Sequence, residues 1–233
     1  MTRILILASI ALAALTVLPP PAAATPITVS IDPNIVFTGY TPNGSAPWLS
    51  AQFTSSVGSD TGTLVLSSST GASDFVQGLS SKKSTAGWAF YLNQALSGLT
   101  CTAGNCADNN ALYIASGVNT GPVPGTFNLA FGWSSGSRFV GGDSATYVLT
   151  FSNLLTGSPF VENGSNWSSV AHVQGITGGC SGWIVSGDGS GAQDSGPCTR
   201  APLVPVPEPG ELGIFGLGLL LGGLLLSLRR RYH

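Results

Sequence analysis

The feature that most limits what this chain can fold into is a period of two in its apolar residues. Phe127, Leu129, Phe131 and Trp133 alternate with Asn128, Ala130 and Gly132, and Tyr147, Leu149 and Phe151 alternate with Val148 and Thr150. Leu49, Ala51 and Phe53 repeat the pattern, as do Trp88, Phe90 and Leu92, and Leu64 with Leu66. Side chains on a strand point to opposite faces in turn, so this pattern marks strands with one face buried. Gly, Pro, Asn and Ser punctuate the runs at intervals of about ten to twenty residues, as turns require. Sustained helical spacing with good helix formers is missing from the body, although Asn93 to Leu99 has room for one short turn. The prediction is an all-β fold: an antiparallel β-sandwich, jelly-roll-like, of about eight to ten strands. Its sheets should meet over Trp48, Phe53, Phe90, Phe127, Phe131, Tyr147 and Phe151. The runs Phe127–Trp133 and Tyr147–Phe151 are expected to be neighbouring strands.

Both ends of the chain fall outside that pattern. Residues 1–24 read as a secretory signal peptide: Arg3 is the basic start, Ile4 to Leu18 the apolar stretch, and Ala22-Ala23-Ala24 the small residues before a cut at Thr25. An uncleaved N-terminal helix is the alternative. The body is expected over 25–198 and a Pro-rich linker over 199–211. A transmembrane helix is expected over 212–228 and a basic cytoplasmic tail over 229–233. The apolar run is 17 residues with Ser227 its one polar side chain. As a helix it would be roughly 25 Å long at about 1.5 Å per residue, the short end of what crosses a bilayer. Its five glycines would weaken a helix in water, but in lipid a helix satisfies its own backbone. Arg229, Arg230 and Arg231 should hold the C-terminus in the cytoplasm. Pro205, Pro207 and Pro209 fix φ and lack N–H groups, so the stretch before the span should be extended and accessible to a protease. A plain single-pass anchor explains the span equally well, but leaves Val206-Pro207-Glu208-Pro209 without a purpose.

These three parts, in this order at the C-terminus, resemble the sorting signal of PEP-CTERM proteins, substrates of exosortases in Gram-negative, exopolysaccharide-producing bacteria. The resemblance implies export by the general secretion machinery and transient anchoring in the inner membrane. A membrane-embedded cysteine peptidase would then cut near Pro207-Glu208-Pro209. Three body segments are similar to strands of one group of PEP-CTERM passenger domains: Pro47 to Phe53, Arg138 to Tyr147, and Ala171 to Ile176 followed by Ser181 to Ile184. That group brings no activity with it, and the insert carrying Cys101 and Cys106 departs from it.

Composition narrows the partners. Charged residues are 8% of the chain, well below the usual quarter. The segment 25–204 holds eight acids and four bases, a net of −4. With no basic patch, nucleic acid is not an expected partner. Solubility must come from hydroxyls, amides and backbone, which suits an extracellular matrix. An even number of cysteines in an oxidising compartment favours disulfides. The expected pairing is local, Cys101–Cys106 and Cys180–Cys198, each stapling a Gly/Asn/Ser-rich loop. A four-cysteine zinc site is the alternative, although paired knuckle spacing is missing.

Candidate chemistry is sparse. Gly132-Trp133-Ser134-Ser135-Gly136 matches the nucleophile elbow, which needs a strand, a strained turn and then a helix. No helical pattern follows here, so a hairpin turn is expected. His172 is the sole histidine of the body, and any Ser-His-Asp triad would depend on it. Its strand context points to a hydrogen-bonded structural role. Asp188 and Asp194 in a Gly-rich loop offer oxygens for calcium, and Glu162 with an aspartate could serve glycoside hydrolysis. Neither has a motif behind it, and no metal or cofactor is assigned. Of five tryptophans, Trp48, Trp88 and Trp133 fit inward positions. Trp167 is the best placed for exposure, though packing is favoured for it too. The expected function is a non-enzymatic surface or exopolysaccharide-matrix protein. A carbohydrate-binding module of the same matrix is the alternative, and a secreted hydrolase a more distant one.

Overall fold

The computed structural model describes residues 23–76, 78, 87–108, 112–113, 116–118, 120–177, 179–191 and 196. Over these residues the protein is all-β, its sheets are antiparallel, and no helix occurs. The expected signal peptide, Pro-rich linker, membrane span and basic tail lie outside the described residues, apart from Ala23 and Ala24. Among the described residues no helix is long and apolar enough to cross a membrane.

The strands are β1 (Pro26–Ser30), β2 (Ile35–Gly39), β3 (Leu49–Ser56), β4 (Thr61–Ser68), β5 (Phe75–Val76), β6 (Trp88–Phe90), β7 (Leu96–Gly104), β8 (Leu112–Tyr113), β9 (Leu129–Phe131), β10 (Phe139–Val140), β11 (Ser144–Phe151), β12 (Trp167–Ile176) and β13 (Cys180–Gly187). One sheet has five strands in the order β1-β3-β4-β11-β7. Alternation is strict in its three central strands. Leu49, Ala51 and Phe53 of β3 are buried, as are Leu64 and Leu66 of β4 and Ala145, Tyr147, Leu149 and Phe151 of β11.

The other sheet contains β2-β13-β12, and the free edge of β12 carries two further strands end to end. Trp88 of β6 pairs with Ala171, and Val76 of β5 pairs with Val173. Beside them β9 and β10 also lie end to end, with Phe131 opposite Trp88 and Phe139 opposite Val76. Each pair is one strand interrupted at the same level, the first between Val76 and Trp88, the second between Phe131 and Phe139. A single residue of β12, His172, lies opposite the first break, and its N–H donates to the carbonyl of Gly87.

Three expectations are corrected here. Among the described residues thirteen strands stand in place of the eight to ten predicted, partly because of these breaks. The stretch Asn93–Leu99 holds no helical turn: β7 begins at Leu96, where pairing with β11 outweighs any local preference. The runs 127–133 and 147–151 are not neighbours in one sheet. β9 pairs with β6 and β8, while β11 pairs with β4 and β7. They face each other across the core instead, with the rings of Phe131 and Tyr147 4.7 Å apart.

That core draws on both sheets, which makes the architecture sandwich-like. Phe53, Leu64, Leu66, Tyr147 and Leu149 meet Trp88, Phe90, Phe131, Trp133, Phe139 and Val173. A second apolar cluster covers the opposite face of the β12 sheet: Phe37, Ala89, Val123, Phe127, Ala130, Trp167, Val170 and Val185. Phe127 belongs to this second cluster and not to the main core where the sequence placed it. It precedes β9, so strand parity does not carry from Leu129 back to it. β6 and β9 are therefore buried on both faces.

Candidate functional site

The serine motif, the disulfide loop and the end of β7 meet in one polar cluster. Cys101 and Cys106 form the expected local disulfide. Sulfurs bonded to each other are not thiolates, so these two are not zinc ligands. Beyond β7 the loop turns back over the second break. Asn105 donates through Nδ2 to the Arg138 carbonyl at 2.9 Å and to Asp143 Oδ2 at 2.8 Å. Its own carbonyl accepts from Trp133 Nε1 at 2.9 Å. The Ala107 N–H donates to the Tyr147 hydroxyl at 2.6 Å, and burial pushes that phenol's pKa up. Asp108 then accepts from the Ser134 N–H at 2.7 Å and from the Ser137 hydroxyl. Hydrogen bonds from Ser137, and then from Ser134, hold the Asp108 carboxyl below the usual aspartate value.

This cluster accounts for the elbow-like motif. The Ser137 N–H bonds the Ser134 carbonyl at 3.1 Å, closing a turn that leads into β10 and not into a helix. The turn is not a hairpin, because β9 and β10 do not pair with each other. It is the excursion that breaks their shared strand line. The Ser134 hydroxyl lies 3.1 Å from that of Ser137. No imidazole reaches it among the described residues.

His172 stands elsewhere, half-buried on the outward face of β12. Its ring stacks on Trp183 with centroids 4.4 Å apart and planes 11° apart. Its Nδ1 lies 3.4 Å from Gln174 Nε2, a contact that uses the lone pair of a neutral imidazole. Desolvation lowers its pKa from the ordinary 6.5. The folded state therefore binds a proton less readily than the unfolded chain. Stability is complete above the unfolded value and is lost as pH falls through 6.5 towards the folded one. The melting midpoint of the wild type should drop between about pH 7 and pH 5, and His172→Gln should flatten that drop. Equal drops in the two proteins would mean that His172 does not titrate abnormally.

The remaining candidates are dispersed. Trp48, Trp88 and Trp133 are buried as expected, and Trp167 is fully buried, its ring edge-on to Phe37 at 5.9 Å. Glu162 is exposed and accepts the Asp188 N–H at 3.1 Å. No group of three or more potential metal ligands occurs among the described residues. Asp194 lies outside them. Cys180 is disulfide-bonded, while the other member of its expected pair, Cys198, lies outside the described residues. So do Val206, Pro207, Glu208, Pro209, Arg229, Arg230 and Arg231.

The outer face of the five-stranded sheet is a surface that alternation alone did not reveal. None of the residues in β1, β3, β4, β7 and β11 is charged. Register aligns Thr28, Thr54, Thr63, Val148 and Thr100 in one row across all five strands. Ser50, Ser67 and Ser144 form another. Neighbouring strands are about 4.8 Å apart, so the hydroxyls form a regular array. Near one end, Thr54, Ser56, Ser59, Thr61, Thr63 and Val148 line an open depression of about 220 Å³. The signal for this face was present as Ser and Thr at the polar positions of each alternating run. Asp108 and Asn105 were missed because their partners lie far along the chain. Comparisons with models of known protein families, with curated proteins and with solved structures find no match to this chain.

Proposed function

We propose that this chain is an exported, non-enzymatic protein of the cell surface or exopolysaccharide matrix of a Gram-negative bacterium. The observation that carries the reading is the hydroxyl face of the five-stranded sheet, whose strands hold no charged residue. Such a face exchanges hydrogen bonds with water and with uncharged sugars on nearly equal terms, and suits a hydrated glycan better than a charged partner. The sorting signal supplies the address: a signal peptide to enter the general secretion machinery, the span 212–228 as a transient anchor, and an exosortase to cut near Glu208. We further read the sandwich as jelly-roll-like, since the chain crosses repeatedly between its two sheets. A carbohydrate-binding role is the second reading, favoured by the hydroxyl-lined depression between β3 and β4.

Replacing Pro207, Glu208 and Pro209 together by alanine tests the address. The span is untouched, so membrane insertion should persist while release stops. Mass spectrometry of the wild-type released protein should find a C-terminus within a few residues of Glu208. Equal release of both proteins would reduce the tail to a plain anchor. Co-sedimentation with purified exopolysaccharide separates the two readings of the body: retention lost on Thr63→Lys favours glycan binding, and no retention favours the purely structural role.

A further inference from the structure

Among the described residues the two sheets have five edge strands, and they are guarded unequally. β8 and β10 have two residues each, and β1 and β2 have five each. β1 also opens with Pro26, which has no N–H to offer. β7 has nine residues and ends the five-stranded sheet. Its ladder runs to β11 alone, and the side-chain bonds of Ser97 and Thr102 go to the same neighbour. Among the described residues no other backbone hydrogen bond reaches Ser97 to Ala103. Edge strands are normally blunted by Lys, Pro or an inward charge, because a free row of N–H and C=O groups templates pairing with another chain. From Leu96 to Gly104 there is none of these. Two irregularities in the ladder near the ends of β7 leave Gly98, Leu99, Thr100 and Cys101 in regular register between them.

We propose that β7 is a self-pairing edge: two copies of this chain join β7 to β7, antiparallel about a two-fold axis, and fuse their five-stranded sheets into one. Charge selects a second copy as the occupant. β7 and the other strands of its sheet hold no charged residue, so a second copy can meet it edge to edge without setting like charges against each other. Shape agrees with this. Leu96, Leu99 and Cys101 are half-buried at the rim of the core, and with Thr100 on the axis a facing copy would set its Cys101 against Leu99. On the other face Thr100 is exposed beside Val148. A Thr–Thr pair across the axis is a favourable cross-strand contact. It would carry the row of Thr28, Thr54, Thr63, Val148 and Thr100 unbroken into the second molecule. A two-fold contact uses the same patch twice and closes on itself. The Cys101–Cys106 bridge ties the exit of the strand, so the edge is held in place before pairing.

The test uses the full-length chain in detergent, followed by sedimentation and by amide hydrogen exchange over a range of concentrations. The wild type should form dimers with rising concentration, and protection at Gly98 to Cys101 should rise in step. Thr100→Lys places two like charges at the axis and should weaken association by about tenfold. Val148→Lys, one strand inward on the same face, should leave it unchanged. If Thr100→Lys does not melt cooperatively, Thr102→Lys takes its place: it sets a charged edge residue beside Gly98 of the facing copy on each side of the axis and should also weaken association. A wild type that stays monomeric at all concentrations overturns the proposal, as does a Thr100→Lys protein that pairs like wild type. Protection at Gly98 to Cys101 that appears only with added polysaccharide, without dimers, would make a glycan the occupant and overturn self-pairing.

Discussion

Phe131→Ala should lose about 3–5 kcal/mol of folding stability, as truncation of a buried phenylalanine does. Phe131 is 1% exposed in the centre of the main core. Its ring meets Tyr147 at 4.7 Å from the opposite sheet, Phe90 edge-on at 5.8 Å and Trp133 at 6.4 Å. It is thus a contact through which one sheet holds the other. Neighbours fixed on strands cannot collapse into the space it leaves, so the cavity cost adds to the lost transfer energy. A domain of this size is stable by about 5–15 kcal/mol, so this one change removes a large share. Ser134→Ala is the control. It removes the hydroxyl that touches Ser137 and helps hold the Asp108 carboxylate, but keeps the backbone N–H that Asp108 accepts, and should cost under about 1 kcal/mol. Denaturant unfolding of the two proteins reads both numbers. A Phe131→Ala protein as stable as wild type would mean that the sheets do not meet through this ring. Loss of a hydrolytic activity in a stable Ser134→Ala protein would overturn the non-enzymatic reading.

Alternation revealed strand identity and inward faces because both are local. Leu49, Phe53, Leu64, Leu66, Tyr147 and Leu149 are all fully or almost fully buried, as their spacing required. Neighbours are not local. Nothing in Phe127–Trp133 or Tyr147–Phe151 says which strand sits beside which, so adjacency in one sheet was inferred where the strands face across the core. The breaks at Val76–Trp88 and Phe131–Phe139 were hidden for a related reason. β5 and β10 have two residues each, too few to show a period, while the alternating runs around β6 and β9 extend past the ends of those three-residue strands. Strands buried on both faces give near-continuous apolar runs. Val170 and Ala171 in β12 and Ile184 and Val185 in β13 are adjacent buried pairs, and these were the sequence sign of the second apolar cluster.

The polar cluster was legible in pieces. Ser134, Cys101 and Cys106 drew notice for the chemistry of their residue types, and a turn and a local disulfide are where they ended. Asp108 did not, since a lone aspartate after Cys106 has no motif. Its contacts to Ser134 and Ser137 span 26 and 29 residues. His172 was expected to be structural, and its neighbours, Trp183 across the ladder and Gln174 two residues on, lie within reach of sequence reasoning once the β12–β13 pairing is known.

Gly78→Ala should cost about 3 kcal/mol, the upper end of the cost of overpacking. Gly78 lies just past the end of β5, Gly87 just before β6, and Gly132 just after β9. Here both interrupted strand lines depart from the sheet, and two backbones must cross with no side chain between them. A Cβ at Gly78 would lie 2.6 Å from the Gly87 nitrogen and 2.8 Å from the Gly132 Cα. Both obstacles are main chain, so no rotamer change relieves them. Relief would require Gly87 to move, and its N–H is bonded to the Phe131 carbonyl at 3.1 Å while its carbonyl accepts from His172 at 2.8 Å. The displacement would therefore reach β9 and β12 together. Gly136→Ala, in the turn of the same excursion, has nothing within 4 Å of its added methyl and should cost under about 0.5 kcal/mol. Thermal melting of the two variants decides the matter. Similar midpoints would show that the two strand lines do not cross at these glycines, and that the breaks in the sheet are loops joined to it by slack backbone.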